Sequence, residues 1–177
     1  MAQFLNVEEV LKAVHVEGAM QIADFGCGPG YFAIPFARCL SEGGKVYAFD
    51  VQQSALEAVR AKAKIEHLYN IETFWTDLEK VAATKLKDDT MDLVMMANIL
   101  FQAEDKEAIV REAHRVLRKN GVAVVVEWNE SSSVLGPFKH ARVGKAFLED
   151  LMKKVGLHLL KEFPAGEHHY GLIYKKE

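Results

Sequence analysis

The sequence predicts an α/β protein with one open, mostly parallel sheet and helices on both of its faces. Apolar strand patterns alternate with amphipathic helix patterns, a glycine-rich turn follows the first strand, and the last two strands are joined too closely for a parallel crossover. The chain has 177 residues, of which 50% are hydrophobic, so it can bury one sizeable core. We therefore expect a single domain over residues 1–177.

The first half of the chain predicts three strands separated by helices. Asn6 and Glu9 have the spacing of a helix N-cap and its acidic partner, which marks the start of the first helix. Pro35 lies near the first turn of the second helix, where its missing N–H costs least. The helices are expected at residues 6–15, 32–40 and 51–64, and the strands at residues 20–25, 45–50 and 71–76.

The second half continues the alternation and closes with a hairpin. An unbroken apolar row at residues 93–96 is typical of a central strand buried on both faces. The helix after it ends in basic residues, which the negative end of the helix dipole favours. Asn120-Gly121 is expected to stop this helix. The helices are expected at residues 104–117 and 143–155, and the strands at 92–97, 122–128, 157–163 and 170–175, the last two antiparallel.

A glycine-rich segment, Asp24-Phe25-Gly26-Cys27-Gly28-Pro29-Gly30, lies between the first strand and the next helix. Its three alternate glycines let the backbone turn sharply and come close to a ligand that any Cβ would push away. Asp50 ends the second strand about 20 residues beyond Gly30, the distance at which a carboxylate reaches ribose hydroxyls. The turn and Asp50 together predict an adenosine-type ligand.

The spacing of the glycines in the turn indicates which class of adenosine ligand the chain can bind. A dinucleotide fingerprint needs a glycine where this chain has Tyr31, and the phosphate-binding pattern that ends in Gly-Lys-Ser/Thr is absent from the sequence. Tyr31 and the closing antiparallel hairpin therefore disfavour a nicotinamide-dependent oxidoreductase. A non-catalytic protein that binds an adenosine ligand stays an alternative, because a binding site without an acceptor has the same motifs.

At these residues the chain resembles the class I S-adenosylmethionine-dependent methyltransferases, and it is similar to small members related to the ubiquinone and menaquinone biosynthesis methyltransferases. Further motifs follow in the family's order at residues 46–50, 76–78, 92–98 and 116–121, where Asn120 stands in place of the usual Pro or Gly. The resemblance implies a Rossmann-like, seven-stranded mixed sheet of order 3-2-1-4-5-7-6 with an antiparallel seventh strand. It also implies methyl transfer from S-adenosylmethionine to a small-molecule acceptor.

The resemblance implies how the motifs hold S-adenosylmethionine. Asp50 is expected at the ribose, Asp77 at the adenine amino group, and Asn98 beside the transferring methyl group. Eleven residues are predicted to bind the cofactor: Asp24, Gly26, Cys27, Gly28, Gly30, Asp50, Val51, Gln52, Asp77, Leu78 and Asn98. No metal is expected, because the chain has two cysteines, and the adjacent His168 and His169 would point to opposite faces of a strand.

The sequence assigns no catalytic residue, because the methyl group is already activated and a general base is optional. Candidates for a base near the strand ends are Glu127, His140, His169 and Tyr170. A 14-residue link at 129–142 is long enough to be functional, and it contains Gly136-Pro137-Phe138 where the resembling family has Gly-Pro-Pro. We hypothesise that this link and the first residues, including Phe4, close over the methyl donor and form much of the acceptor pocket.

Charge and hydropathy limit the partners to be expected. The formal net charge is −3 and no basic block is present, which disfavours nucleic-acid binding. No apolar run approaches ~18 residues, so no membrane insertion is expected, and we expect a cytoplasmic protein. The sequence leaves the oligomeric state open, including a homodimer in which a second subunit completes the acceptor pocket.

Overall fold

The computed structural model describes residues 5–130 and 135–177. Its helices are α1 (Val7–Val14), α2 (Ala33–Cys39), α3 (Gln53–Ile65), α4 (Lys106–Val116) and α5 (Lys145–Lys154). Its strands are β1 (Gln21–Phe25), β2 (Lys45–Asp50), β3 (Ile71–Trp75), β4 (Met91–Ala97), β5 (Leu117–Trp128), β6 (Leu157–Pro164) and β7 (His169–Lys176). Short 3₁₀ helices at Leu100–Gln102 and Lys139–Ala141 lie in the connections. Phe4 and residues 131–134 of the predicted acceptor loop lie outside the described residues.

The strands form one sheet of order β3-β2-β1-β4-β5-β7-β6, which confirms the predicted order. Strands β1 to β5 pair in parallel, whereas β7 runs antiparallel to both β5 and β6. The strand order reverses between β1 and β4, where Phe25 is level with Phe49 on one side and Met96 on the other. The carboxyl ends of β1, β2 and β4 therefore meet at one edge, where open α/β sheets bind ligands.

Helices cover both faces of the sheet, and each face has its own apolar core. Met96 and Val125 belong to the core on the side of α4 and α5. Met95 and Val124 belong to the core on the side of α1, α2 and α3. All four side chains are fully buried, which explains why the central strands read as unbroken apolar runs in the sequence.

The start of α1 agrees with the sequence, because the Asn6 side chain accepts a hydrogen bond from the Glu9 amide at 3.2 Å. The helix before β5 ends within one residue of the predicted position, but the predicted stop at Asn120-Gly121 is wrong. Helix α4 ends at Val116, because the next residue, Leu117, is already extended and pairs with β4. Asn120, expected to stop the helix, instead lies within β5 in the left-handed conformation, with φ 66°. The basic residues after α4 have the pattern of a helix terminus, but pairing with β4 decides their conformation.

Candidate active site

A cavity of about 410 Å³ opens at the carboxyl ends of β1, β2 and β4. It brings together ten of the eleven residues that the sequence predicts to bind the cofactor, and Gly30 is the one that does not line it. The ten are Asp24, Gly26, Cys27, Gly28, Asp50, Val51, Gln52, Asp77, Leu78 and Asn98. The parallel sheet aligns the segments that carry them. Their role in binding stays a prediction.

The glycine turn, residues 26–30, is held against β2 by backbone hydrogen bonds. The amides of Gly26 and Cys27 donate to the carbonyl oxygen of Phe49 at 2.9 and 3.0 Å. Gly26 and Gly28 have φ values of 70° and 50°, in the left-handed region that favours glycine. Apart from its two chain neighbours, no described residue has an atom within 4 Å of a Cβ placed on Gly28. The turn therefore leaves open space beside Gly28.

Gly30 has a packing role instead of a place in the cavity wall. Its φ is 89°, and a Cβ there would lie 3.0 Å from Cγ1 of Ile34 and 3.2 Å from Cγ2 of Val59. Ile34 belongs to α2 and Val59 to α3. The missing side chain therefore lets both helices approach the turn closely.

Asp50 links the end of β2 to the glycine turn. Its Oδ2 accepts a hydrogen bond from the Gly28 amide at 2.9 Å, and its Oδ1 accepts one from the Gln52 amide at 2.8 Å. Each carboxylate oxygen has a further lone pair. The carboxylate can therefore also accept hydrogen bonds from hydroxyl groups of a ligand in the cavity.

Asp24 contributes a second buried carboxyl group to the cavity wall. It is 1% exposed, and its Oδ2 has no hydrogen-bond partner within the described residues. Burial, together with the nearby charge of Asp50, raises the pKa of Asp24 to about 7. A buried polar atom without a partner is costly, so a hydrogen-bond donor on a bound ligand would stabilise this carboxyl group.

Cys27 is not equipped to act as a nucleophile. Burial raises the pKa of its thiol, and the negative charges of Asp24 and Asp50 raise it further. The thiol therefore stays protonated near neutral pH, and a protonated thiol is unreactive. Cys27 contributes to the turn through its backbone amide, which donates to the carbonyl of Phe49.

Asp77 and Leu78 line the cavity just after β3. Oδ1 of Asp77 accepts a hydrogen bond from the Glu79 amide at 3.0 Å, and Oδ2 lies 3.6 Å from Nζ of Lys80. The Asp77 side chain is exposed, whereas Leu78 is buried. The pair offers a carboxylate beside an apolar surface, which suits a flat ring that carries an amino group.

Asn98 follows β4 in the left-handed conformation, with φ 53°. Its amide donates to the Val126 carbonyl at 2.8 Å, and its own carbonyl accepts a hydrogen bond from the Gln102 side chain at 2.9 Å. The side-chain Oδ1 of Asn98 is buried and has no hydrogen-bond partner in the described part of the chain. It is therefore available to accept a hydrogen bond from a ligand.

The cavity also contains residues that the sequence analysis missed. Ile99, Gln102 and Ala103 follow β4, and Ile109 belongs to α4. Three of these four side chains are apolar and read as core in the sequence, so no local pattern marks them as part of a site. The remaining lining residues are Leu5, Pro29, Tyr31, Phe32, Thr76, Glu79 and Ala97.

The charged side chains that line the cavity are all acidic. They are Asp24, Asp50, Asp77 and Glu79. Among the described residues, no Lys, Arg or His lines it. Because opposite charges attract most strongly where water is partly excluded, the cavity suits a cationic ligand.

None of the four candidate bases lines the cavity in the described structure. Glu127 is fully buried, and burial raises its pKa to about 7. Tyr170 donates its hydroxyl to the Val143 carbonyl at 2.7 Å, and burial raises the pKa of that hydroxyl. His169 is buried and His140 is exposed. The geometry thus supports none of the four as a base within this cavity.

Arg142 organises the link between β5 and α5. It is 9% exposed and donates to the carbonyl oxygens of Pro137, Asn129 and Leu135 at 3.1, 2.7 and 2.9 Å. No described residue of the link lines the cavity, so its role in an acceptor pocket stays a prediction.

Two other kinds of feature are absent from residues 5–130 and 135–177. No three His, Cys, Asp or Glu side chains lie close enough together to hold a metal ion. No helix combines the length and the apolar character that crossing a bilayer requires.

Comparisons with known proteins agree with the motifs. A family model described as a methyltransferase domain matches residues 22–121. The chain is 24% identical over 123 residues to demethylmenaquinone methyltransferase from Geobacillus stearothermophilus, which covers 70% of this chain and 51% of that protein. It is 29% identical over 156 residues to the ubiquinone/menaquinone biosynthesis C-methyltransferase UbiE from Cronobacter sakazakii, which covers 88% of this chain and 59% of that protein. The chain thus spans little more than half the length of these relatives.

The fold is also similar to that of solved structures. The crystal structure of a SAM dependent methyltransferase from Aquifex aeolicus superposes with a TM-score of 0.87 at 22% identity, over 98% of this chain and 90% of that one. The two proteins therefore share a fold.

Proposed function

The chain belongs to the methyltransferase domain family, and we propose that it is an S-adenosylmethionine-dependent methyltransferase that acts on a small-molecule acceptor. The observation that carries the proposal is the acid-lined cavity beside the glycine turn, where Oδ2 of Asp24 has no hydrogen-bond partner within the described residues. S-Adenosylmethionine has a positive net charge, because its one carboxylate is outnumbered by two positive groups, a sulfonium and an ammonium. Both are favoured by a lining of this charge.

The groups in the cavity wall match the parts of the cofactor. We assign the ribose hydroxyls to Asp50, whose carboxylate has lone pairs to spare, and the adenine ring to Asp77 and Leu78. We assign the ammonium group to Asp24 and a contact with the methionyl part to Asn98, because each has a buried oxygen that finds no partner in residues 5–130 and 135–177. The open space at Gly28 supports a close approach of the cofactor to the backbone.

The bound cofactor supplies a methyl group that its sulfonium has already activated. The leaving group is a neutral thioether, so the transfer needs no general acid. The chain has to hold the acceptor in line with the S–CH3 bond, and orientation of this kind can lower a barrier by roughly 7–11 kcal/mol. The apolar side chains of Phe32, Ile99 and Ile109 in the cavity wall help to exclude water.

The lining supports an uncharged or cationic acceptor over an anionic one. Its charges are acidic with no described basic side chain, so an acceptor with a negative net charge would be repelled. The relatives described above are named for demethylmenaquinone and for ubiquinone/menaquinone biosynthesis, and we propose a quinone-type ring for this chain. We also propose that the 129–142 link forms part of the acceptor pocket, because it follows β5 at the cavity edge of the sheet and exposes Leu135 and Phe138.

Calorimetry with S-adenosylmethionine and S-adenosylhomocysteine tests the cofactor assignment. Both are expected to bind, whereas reduced nicotinamide cofactors are expected to give no absorbance change on mixing. A protein that binds neither sulfur nucleoside would overturn the proposal.

A second candidate is a non-catalytic protein that binds the same ligand. It is favoured by one observation, that none of the four bases predicted from the sequence is among the described residues that line the cavity. Transfer of a labelled methyl group into metabolite extracts separates the two functions. Incorporation that Asp50→Ala abolishes supports the enzyme, and tight binding without incorporation supports the binding protein.

A further inference from the structure

Glu127 is a buried carboxyl group for which the proposed reaction gives no direct role. It is 0% exposed near the end of β5, and its Oε1 accepts hydrogen bonds from the amides of Leu100 and Phe101 at 2.8 and 3.3 Å. Its Oε2 has no hydrogen-bond partner within the described residues. Burying a carboxyl group is costly unless hydrogen bonds compensate, so these two amides, together with the Trp128 amide and the nearby charge of Lys106, stabilise Glu127 there.

The two amides belong to the turn that follows β4, residues 98–102, which we name the β4 turn. Asn98, Ile99 and Gln102 of the β4 turn line the cavity. The amide of Asn98 donates to the carbonyl of Val126, the residue before Glu127. Strand β5 therefore holds the β4 turn at two consecutive residues, once through its backbone and once through the Glu127 side chain.

The side chain of Ile99 connects the β4 turn, which β5 holds in place, to the glycine turn. A Cβ placed on Gly26 would lie 2.8 Å from Cδ1 of Ile99, so the Ile99 side chain packs directly over Gly26. Glu127 therefore contacts the β4 turn, and the β4 turn in turn contacts the glycine turn through Ile99. A displacement of about 1 Å in a supporting residue can cost on the order of 10²-fold in rate.

From these contacts we propose that Glu127 is a positioning residue, which sets the spacing between the β4 turn and the glycine turn and with it the shape of the S-adenosylmethionine site. Glu127 acts through the amides of Leu100 and Phe101 and contacts neither cofactor nor acceptor. The inference rests on the proposed function only for the identity of the ligand.

Glu112 is a matched control. It is 4% exposed, its Oε1 accepts hydrogen bonds from the amide and the hydroxyl of Thr84 at 3.0 and 2.6 Å, and it pairs with Arg115. It does not line the cavity. Replacing Glu112 should therefore destabilise the fold and leave the ligand site unchanged.

The test compares three variants by hydrogen exchange of the ligand-free protein and by calorimetry with S-adenosylhomocysteine. In Glu127→Leu, the amides of Leu100 and Phe101 should exchange about tenfold faster and the ligand should bind about tenfold more weakly, because both hydrogen bonds to the carboxyl group are lost. Glu127→Gln keeps an oxygen acceptor, so its affinity should stay within about threefold of the unchanged protein and its exchange should rise less. Glu112→Leu should lower the thermal midpoint without changing the affinity.

A folded Glu127→Leu variant that binds S-adenosylhomocysteine as tightly as the unchanged protein would overturn the inference. If Glu127→Leu does not fold, Glu127→Gln decides the question. Faster exchange confined to Leu100 and Phe101 supports the positioning role, and unchanged exchange at both amides rejects it. If the unchanged protein binds no S-adenosylhomocysteine, the proposed function fails, while the exchange rates still test the contacts of Glu127.

Discussion

The carboxylate of Asp50 accepts a hydrogen bond from the amide of Gly28 at 2.9 Å. This bond joins the residue that the sequence predicts at the ribose to the centre of the glycine turn. Asp50 therefore has two tasks at once, because it orders the turn and also offers lone pairs to a ligand.

Asp50→Ala should weaken the binding of S-adenosylmethionine by more than about tenfold, because charged hydrogen bonds to the ribose and the anchor of Gly28 are both lost. Calorimetry measures the effect. Glu72→Ala is the control, since Glu72 is exposed on β3 and pairs only with Lys45 in the described structure. Equal affinities of the Asp50 variant and the unchanged protein would mean that the ribose lies elsewhere.

Gly28→Ala and Gly30→Ala should have different effects, the first mainly on ligand binding and the second mainly on the stability of the fold. At Gly28 a Cβ meets no atom of the described residues, so the free energy of unfolding should fall only by the left-handed backbone cost of roughly 1–2 kcal/mol. The added methyl group enters the space that we assign to the ligand. At Gly30 the Cβ meets Ile34 and Val59, so overpacking adds about 1–3 kcal/mol to the backbone cost. Denaturant unfolding and calorimetry together separate the two effects. A Gly28→Ala protein with unchanged affinity would contradict the assignment of this space to the cofactor.

Asp24 should make the stability of the ligand-free protein depend on pH. The pKa of Asp24 is raised from 3.8 to about 7. Its contribution to the free energy of unfolding is therefore fully present below pH 3.8 and is lost as the pH rises toward 7. Asp24→Asn removes this titration and should therefore stabilise the protein at pH 8 by on the order of 1 kcal/mol or more, with no such gain below pH 4. Urea unfolding of both proteins from pH 4 to pH 8 measures the difference. A difference that does not change with pH would contradict the burial of Asp24, whose Oδ2 has no hydrogen-bond partner among the described residues.

The same residue should make cofactor binding depend on pH in the opposite sense. A cation beside Asp24 favours the ionised carboxylate, so the affinity for S-adenosylmethionine should rise as the pH increases to about 7 and then level off. Binding at pH 6 should release a proton, which calorimetry detects in buffers of different ionisation heat. Asp24→Asn should flatten the profile and weaken binding at pH 8 by about tenfold or more. An unchanged profile in Asp24→Asn would place the ammonium group away from Asp24.

The 129–142 link should matter for transfer and not for cofactor binding. Replacing residues 131–139 by a short turn is expected to leave the affinity for S-adenosylhomocysteine unchanged and to abolish transfer to the true acceptor. Phe138→Ser is a milder form of the test, and Phe147→Ser on α5 is its control, because both rings are exposed. Unchanged transfer in the shortened protein would reject the proposed acceptor pocket.

The parts of the site that the sequence predicts are those with a local signal. The alternate glycines and the acid at the end of β2 have a recognisable spacing, and two of the glycines, Gly26 and Gly28, line the cavity with Asp50 and Asp24, whereas Gly30 does not. Ile99 and Ile109 have no such signal, because their place in the wall depends on how the β4 turn and α4 pack against the sheet. The role of Glu127 likewise has no local signal in the sequence. Its position at a strand end suggested a base, whereas the structure pairs it with two backbone amides.

The place of β7 in the sheet has a consequence for folding. This strand follows β6 in the chain, yet it lies between β5 and β6, so β6 reaches the sheet only through β7. During synthesis β5 would keep an unpaired edge until His169–Lys176 leaves the ribosome, and such an edge invites pairing with other chains. A nascent protein stopped before His169 should therefore be aggregation-prone, even though it already contains every described residue that lines the cavity.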